Sequence, residues 1–173
     1  MAACSSPVTV PKATCDPNWE TDSIAVLFWG YRPNDTFQVM GYAHGIPNGA
    51  CRIYNEDGSL ETLGNLRCGQ MDGKYEKFYE NGQVFFVYLF EAGKLIEDLG
   101  TYSEDGKLLA KGNVKNGNGE LVTFYKNGDY YCKGMIKDGL KQGLWMTWSG
   151  GKWVKDYQYN NGINQTTGLV EKY

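Results

Sequence analysis

Phe78-Tyr79-Glu80-Asn81-Gly82 and Phe124-Tyr125-Lys126-Asn127-Gly128 are two copies of one short phrase, an aromatic strand end running into an Asn-Gly turn. Asn-Gly, Asp-Gly and Gly-Gly supply the positive φ of a tight hairpin turn, so each such dipeptide predicts the tip of a two-stranded β-unit. Related dipeptides stand at Asp57-Gly58, Asp105-Gly106 and Gly150-Gly151, and successive glycines of the series are 24, 24, 22 and 23 residues apart. A period this regular is the mark of a repeat architecture, and it predicts one small unit used about five times. Thr147-Trp148-Ser149-Gly150-Gly151 reads as a degenerate copy of the phrase. Tyr54-Asn55-Glu56-Asp57-Gly58 and Tyr102-Ser103-Glu104-Asp105-Gly106 insert one more residue between aromatic and glycine, which predicts a longer turn.

A second glycine signal, from Gly45 to Gly49, Gly69 to Gly73, Gly117 to Gly119 and Gly139 to Gly143, reads as the loop between one hairpin and the next. The fullest copy runs from Gly134 through Asp138-Gly139 and Gly143-Leu144-Trp145 into the Trp148 hairpin. That run resembles MORN repeats, and the Phe-Tyr-x-Asn-Gly tips resemble the bacterial variant of the repeat. The resemblance covers residues 41 to 165 and implies a scaffold, not a reaction. The pattern departs between residues 88 and 119, where Phe90-Glu91-Ala92-Gly93 lacks an Asn-Gly tip and Gly117-Asn118-Gly119 shortens the loop.

The composition suits stacked hairpins. Twenty-three glycines in 173 residues serve turns, and 13 tyrosines favour half-buried pleated surfaces. No long capped amphipathic helix is found in the repeat region, so the predicted class is all-β: an elongated stack of antiparallel hairpins, about five units. A lone hairpin is marginal in water, so neighbours must stack to bury their aromatics. Residues 1 to 18 read as a flexible tether and residues 19 to 40 as a capping segment. Within the cap, the apolar run Ile24 to Tyr31 forms a strand, and residues 41 to 173 hold the repeats with a C-terminal cap.

The formal charge is -3, with Lys and Arg scattered among acids. A basic stripe, the footprint of a nucleic-acid binder, is missing. No apolar run reaches transmembrane length, so the expected membrane association is through a lipid alone. Met1-Ala2-Ala3-Cys4-Ser5-Ser6 reads like the end of a bacterial lipoprotein signal, with Cys4 as the lipidated residue and a periplasmic location; the alternative is a cytoplasmic protein with Cys4 as an ordinary thiol. On the lipoprotein reading Cys15, Cys51, Cys68 and Cys132 remain, which allows two disulfides in three connectivities.

No catalytic constellation is legible, and neither a cofactor nor a metal is expected. The single histidine, His44, reads as a surface loop residue, and Glu56, Asp57, Glu104 and Asp105 read as solvated turn acids. What remains is an aromatic concentration: Trp145, Trp148, Trp153, Tyr157 and Tyr159. Trp145 and Trp148 occupy core-like repeat positions, while Trp153, Tyr157 and Tyr159 lie beyond the tip, where a partner could meet them. These five are the candidate partner-binding residues. Bacterial proteins with this repeat variant are often antitoxins or immunity proteins, so the resemblance implies a non-enzymatic binder of a toxin or secreted effector. The competing expectation is an envelope lipoprotein that binds glycan or peptidoglycan through the same rings.

Overall fold

The computed structural model describes residues 15–16, 18–29 and 32–170 and, among them, contains strands and turns but no helix. The chain divides into two units, the first comprising residues up to 84 with 90–93, the second residues 85–89 with 94 onward.

In the first unit, β1 (Ser23–Trp29), β2 (Arg32–Ala43), β3 (Ile46–Tyr54), β4 (Leu60–Arg67) and β6 (Gly73–Phe78) pair in that order as an antiparallel meander, and β5 (Gln70–Met71) pairs with β4. Its core is Met40, Cys51, Ile53 and Leu66, with Phe37, Tyr42 and Met71 packed against them. Full burial of a side chain such as Met40, Ile53 or Leu66 contributes roughly 1.5 to 3 kcal/mol. In the second unit, Phe85–Leu89 of β7 (Val84–Glu91) precede β8 (Lys94–Tyr102) and β9 (Leu108–Ala110), and a five-stranded sheet follows: β10 (Gly119–Phe124), β11 (Tyr130–Lys137), β12 (Leu140–Ser149), β13 (Lys152–Asn160) and β14 (Ile163–Asn164). Leu95, Val114, Leu121, Ile136, Trp145 and Tyr159 are among its buried residues.

The turns correct the sequence reading in three ways. At Asp57, Asn81, Asp105 and Asn127 only the following glycine takes positive φ, between 81° and 89°. Each of these turns is a three-residue loop with glycine in the bulge position: Gly82 N–H donates to the Tyr79 carbonyl, and Tyr79 N–H to that of Gln83. The same pair of bonds recurs at 55–59, 103–107 and 125–129, so the turns expected to be longer are the same length. What shifts is the aromatic: Tyr54 precedes the first turn residue, Asn55, whereas Tyr79 is itself that residue. The Gly150-Gly151 turn alone in this series has positive φ at both residues.

The supposed inter-hairpin loops are two-residue turns. His44-Gly45, Cys68-Gly69, Ala92-Gly93, Asn116-Gly117, Asp138-Gly139 and Asn161-Gly162 all have positive φ at both positions, the type I′ pattern. Ala92-Gly93, the apparent departure, is a full member. A non-glycine residue costs about 1 kcal/mol or more in this conformation, so something must hold it there. Successive turns supply that restraint. Gly69 N–H donates to the Pro47 carbonyl, Gly93 to Met71, Gly117 to Ile96 and Gly162 to Lys141, each at 2.8 to 2.9 Å. The preceding N–H is taken by a side chain one repeat earlier: His44 by Asp22, Cys68 by Asn48, Ala92 by Asp72, Asp138 by Asn118 and Asn161 by Gln142.

The entry to the first unit is pinned. Cys15 is joined to Cys68, Asn48 Nδ2 donates to the Trp19 carbonyl at 3.0 Å, and the Thr21 hydroxyl donates to the Asn48 carbonyl. Cys51 is also disulfide-bonded, while Cys132 keeps a free thiol beside the Thr123 hydroxyl. The expectation of two bridges among Cys15, Cys51, Cys68 and Cys132 is therefore corrected at Cys132.

Asp98 on β8 is a buried acid whose carboxylate accepts from Gly100 N–H at 3.0 Å, and burial pushes it up from 3.8 to about 6. A raised carboxyl favours the folded state below its unfolded value and withdraws that support as pH climbs through the folded value. Asp98 therefore stabilises least above pH 6, by roughly 3 kcal/mol relative to pH below 4. Asp98→Asn should remove this slope between pH 4 and 6 in denaturant titrations; wild type and variant with parallel pH profiles would contradict it.

Candidate partner-binding surface

The hairpin of β12 and β13 closes on Gly150-Gly151 and sets Trp148 directly opposite Trp153, ring centroids 5.1 Å apart and edge to face. A register shift between β10 and β11 brings Phe124 opposite Tyr130, at 5.1 Å. Tyr130 then meets both indoles at 5.3 Å, and the Lys133 ammonium lies 4.7 Å from the Trp153 ring. Beside them, Tyr125 and Tyr131 pack at 4.8 Å. Edge-to-face rings contribute about 0.5 to 1.5 kcal/mol beyond their buried area, so the group is held before any partner arrives. Phe124, Trp148 and Trp153 are half-buried, and Tyr125, Tyr130 and Tyr131 are exposed.

The five aromatics singled out in the sequence thus separate. Trp148, Trp153 and Tyr157 reach solvent. Trp145 and Tyr159 are buried against each other at 5.8 Å, with the Lys141 ammonium over both rings. Their role in this structure is packing. Tyr125, Tyr130 and Tyr131 were missed, although the signal was present: they flank the Asn127-Gly128 turn on both sides, so a cross-strand ring cluster was available to infer. Cys4, the candidate lipidation site, lies outside the described residues.

Elsewhere the chemistry is muted. His44 is exposed, with its ring 4.4 Å from that of Trp19. The Asp105 carboxyl is held down at about 2 by hydrogen bonds from the Lys107 ammonium and the Ser103 hydroxyl, and Asp57 is held below its usual range by the Ser59 hydroxyl and N–H. Both are ionised near neutrality, which suits them to ion pairing and not to proton donation. In the first unit Tyr54, Asn55, Glu56, Asp57, Glu61 and Glu80 line an open cavity of about 420 Å³. Among the described residues, no group of three His, Cys, Asp or Glu could hold a metal ion.

The family model for the MORN repeat variant matches residues 71–92 and 101–116. The first match runs from β5 through the 79–83 turn to the Ala92-Gly93 turn, one strand-turn-strand unit of the pattern described above. The chain therefore carries repeats of the MORN variant at these positions, and the class such repeats define is a repeat-based binding scaffold. Comparison with curated proteins and with solved structures returns no match.

Proposed function

We propose that this protein is a non-enzymatic immunity or antitoxin protein that neutralises a bacterial toxin or secreted effector by binding it directly. The observation that carries this reading is the ring cluster of Phe124, Tyr125, Tyr130, Tyr131, Trp148 and Trp153, presented on hydrogen-bonded strands and partly open to solvent. Such rings offer a large contact area and lose little freedom on binding, the usual basis of interface hot spots. Charge supports a basic partner. The first unit's residues carry eleven Asp and Glu against six Lys and Arg, and four of its acids gather at the open cavity. The Cys15–Cys68 disulfide supports an oxidising compartment, which in a bacterium is the periplasm.

The decisive experiment is genetic and biochemical together. Deleting the gene should sensitise cells to a toxin encoded beside it, and the purified pair should form a complex. Tyr130→Ala and Trp153→Ala should each weaken that complex about 30-fold, as truncation of a central aromatic costs about 2 kcal/mol. Association should also slow as salt rises. A deletion strain that survives toxin attack unharmed would refute the proposal. A second reading, an envelope protein that stacks these rings on glycan or peptidoglycan, is separated by a pull-down on purified cell wall, which an immunity protein should ignore.

A further inference from the structure

We infer that the outer edge of β1 is a two-fold dimerisation site that takes a second copy of this chain. Among the described residues β1 pairs with β2 alone and ends its sheet, so one row of its backbone groups faces outward. Proteins commonly guard such an edge with a charge, a proline or a bulge. Its sequence, Ser23-Ile24-Ala25-Val26-Leu27-Phe28-Trp29, holds neither charge nor proline. Pairing with β2 is regular from Ser23 to Leu27, and the two shifts that follow, after Leu27 and after Phe28, put the extra residues on β2 and none on β1. The strand also keeps apolar surface in water: Ile24 is 69% exposed, Val26 44%, Leu27 50% and Phe28 49%.

Three features select a second copy over another occupant. The first is symmetry. Ile24, Val26 and Phe28 share one face of the strand and are placed evenly about Val26. Antiparallel pairing of two β1 strands about Val26 sets Ile24 opposite Phe28 and Val26 opposite its own copy, which joins six exposed apolar side chains in one cluster. The second is charge. With eleven acids against six bases in its unit, most approaches of two copies are repulsive, whereas β1 brings no like charges face to face. The third is closure. A two-fold pairing uses the β1 edge of each copy against the other, so association through it stops at two and does not run on into fibres.

Sedimentation equilibrium of the full chain should therefore give a dimer mass that falls to the monomer on dilution. Val26→Lys sets two ammonium groups against each other on the axis and should halve the mass while leaving the circular dichroism spectrum unchanged. In a Cys132→Ser background, Val26→Cys should form a cross-linked dimer on mild oxidation, because the axis brings residue 26 beside its copy. Leu108→Cys on β9, 56% exposed, should not. If Val26→Lys disturbs folding, the cysteine pair still decides the question. A chain that is monomeric at every concentration overturns the inference. So does a dimer in which Val26→Cys cross-links no better than Leu108→Cys, or a monomer that recruits a foreign strand to β1.

Discussion

Replacing Gly134 with alanine should destabilise the protein by about 3 kcal/mol, near the upper end of what overpacking a core costs. The Trp145 indole lies directly on Gly134, and a Cβ there would fall among ring atoms Cγ, Cδ2 and Cε2. The ring has little room to retreat. It is 4% exposed, Tyr159 packs edge-on at 5.8 Å, and the Lys141 ammonium stands 4.8 Å from its centre. Urea titration should show a lower midpoint with an unchanged slope, meaning a loss of stability and not of two-state behaviour. Adding Trp145→Leu to Gly134→Ala should recover part of the loss, because the added methyl then has space. The two substitutions should therefore be strongly non-additive. A Gly134→Ala variant with the wild-type midpoint would mean that the indole swings clear, and the contact would then have no part in the stability of β11 and β12.

Breaking the Cys15–Cys68 bridge should have a comparable or larger effect. The two cysteines are 53 residues apart, and closing a loop of that length restricts the unfolded chain by about 4 kcal/mol in the chain-entropy account. The bond also holds Cys15, and with it Trp19 and Asp22, against two type I′ turns. Cys68 lies in one of them, and His44 in the other meets Trp19 and donates its N–H to Asp22. Substitution is the right probe, since reductant would also act on the disulfide at Cys51. The double variant Cys15→Ser/Cys68→Ser should unfold at a clearly lower denaturant concentration, with the contacts of Trp19 lost first. Exchange of the His44 N–H, which donates to Asp22 in the same segment, follows this loss. An unshifted midpoint would show that the bridge only decorates a segment already held by Asn48 and Asp22.

How far the sequence could be read is clearest at the turns. Asn81-Gly82 and Asn127-Gly128 announce hairpins by composition, and the hairpins are there. Ala92-Gly93 announces nothing, because alanine has no intrinsic preference for positive φ. It adopts that conformation because Asp72 and the Met71 carbonyl, one repeat earlier, take the two N–H groups of the turn. The restraint is a relation between repeats and cannot be seen inside either one. The same holds for the spacing at Tyr54 and Tyr102. Measured from the aromatic, the turn looks longer; measured by its hydrogen bonds, it is unchanged, since the ring sits one place earlier on the strand.

The candidate surface follows the same division. Sequence could collect Trp145, Trp148, Trp153, Tyr157 and Tyr159 as neighbours along the chain, but it could not sort them. Trp145 is inside because Gly134, eleven residues earlier, leaves a bare patch of backbone for the indole to cover. Trp148 and Trp153 stay near solvent because a tight Gly-Gly turn pairs them across adjacent strands, where Tyr130 meets both. Tyr130 and Tyr131 flank the Asn127-Gly128 turn in the sequence, but which ring each meets is set by the register of β10 and β11.

By itself, then, the order of amino acids settled the local matters: strands and turns, an all-β chain, a period near 24 residues and membership of a repeat class. These depend on glycine's freedom of φ and on aromatic and β-branched residues recurring in step, and both are properties of short stretches. Which of the turns close in two residues, which rings are covered and where a carboxyl such as Asp98 is stripped of water were decided only by the folded structure. Each depends on a neighbour a full repeat or a full strand away, and the hydrogen bond or the contact that enforces it exists only after the strands have paired.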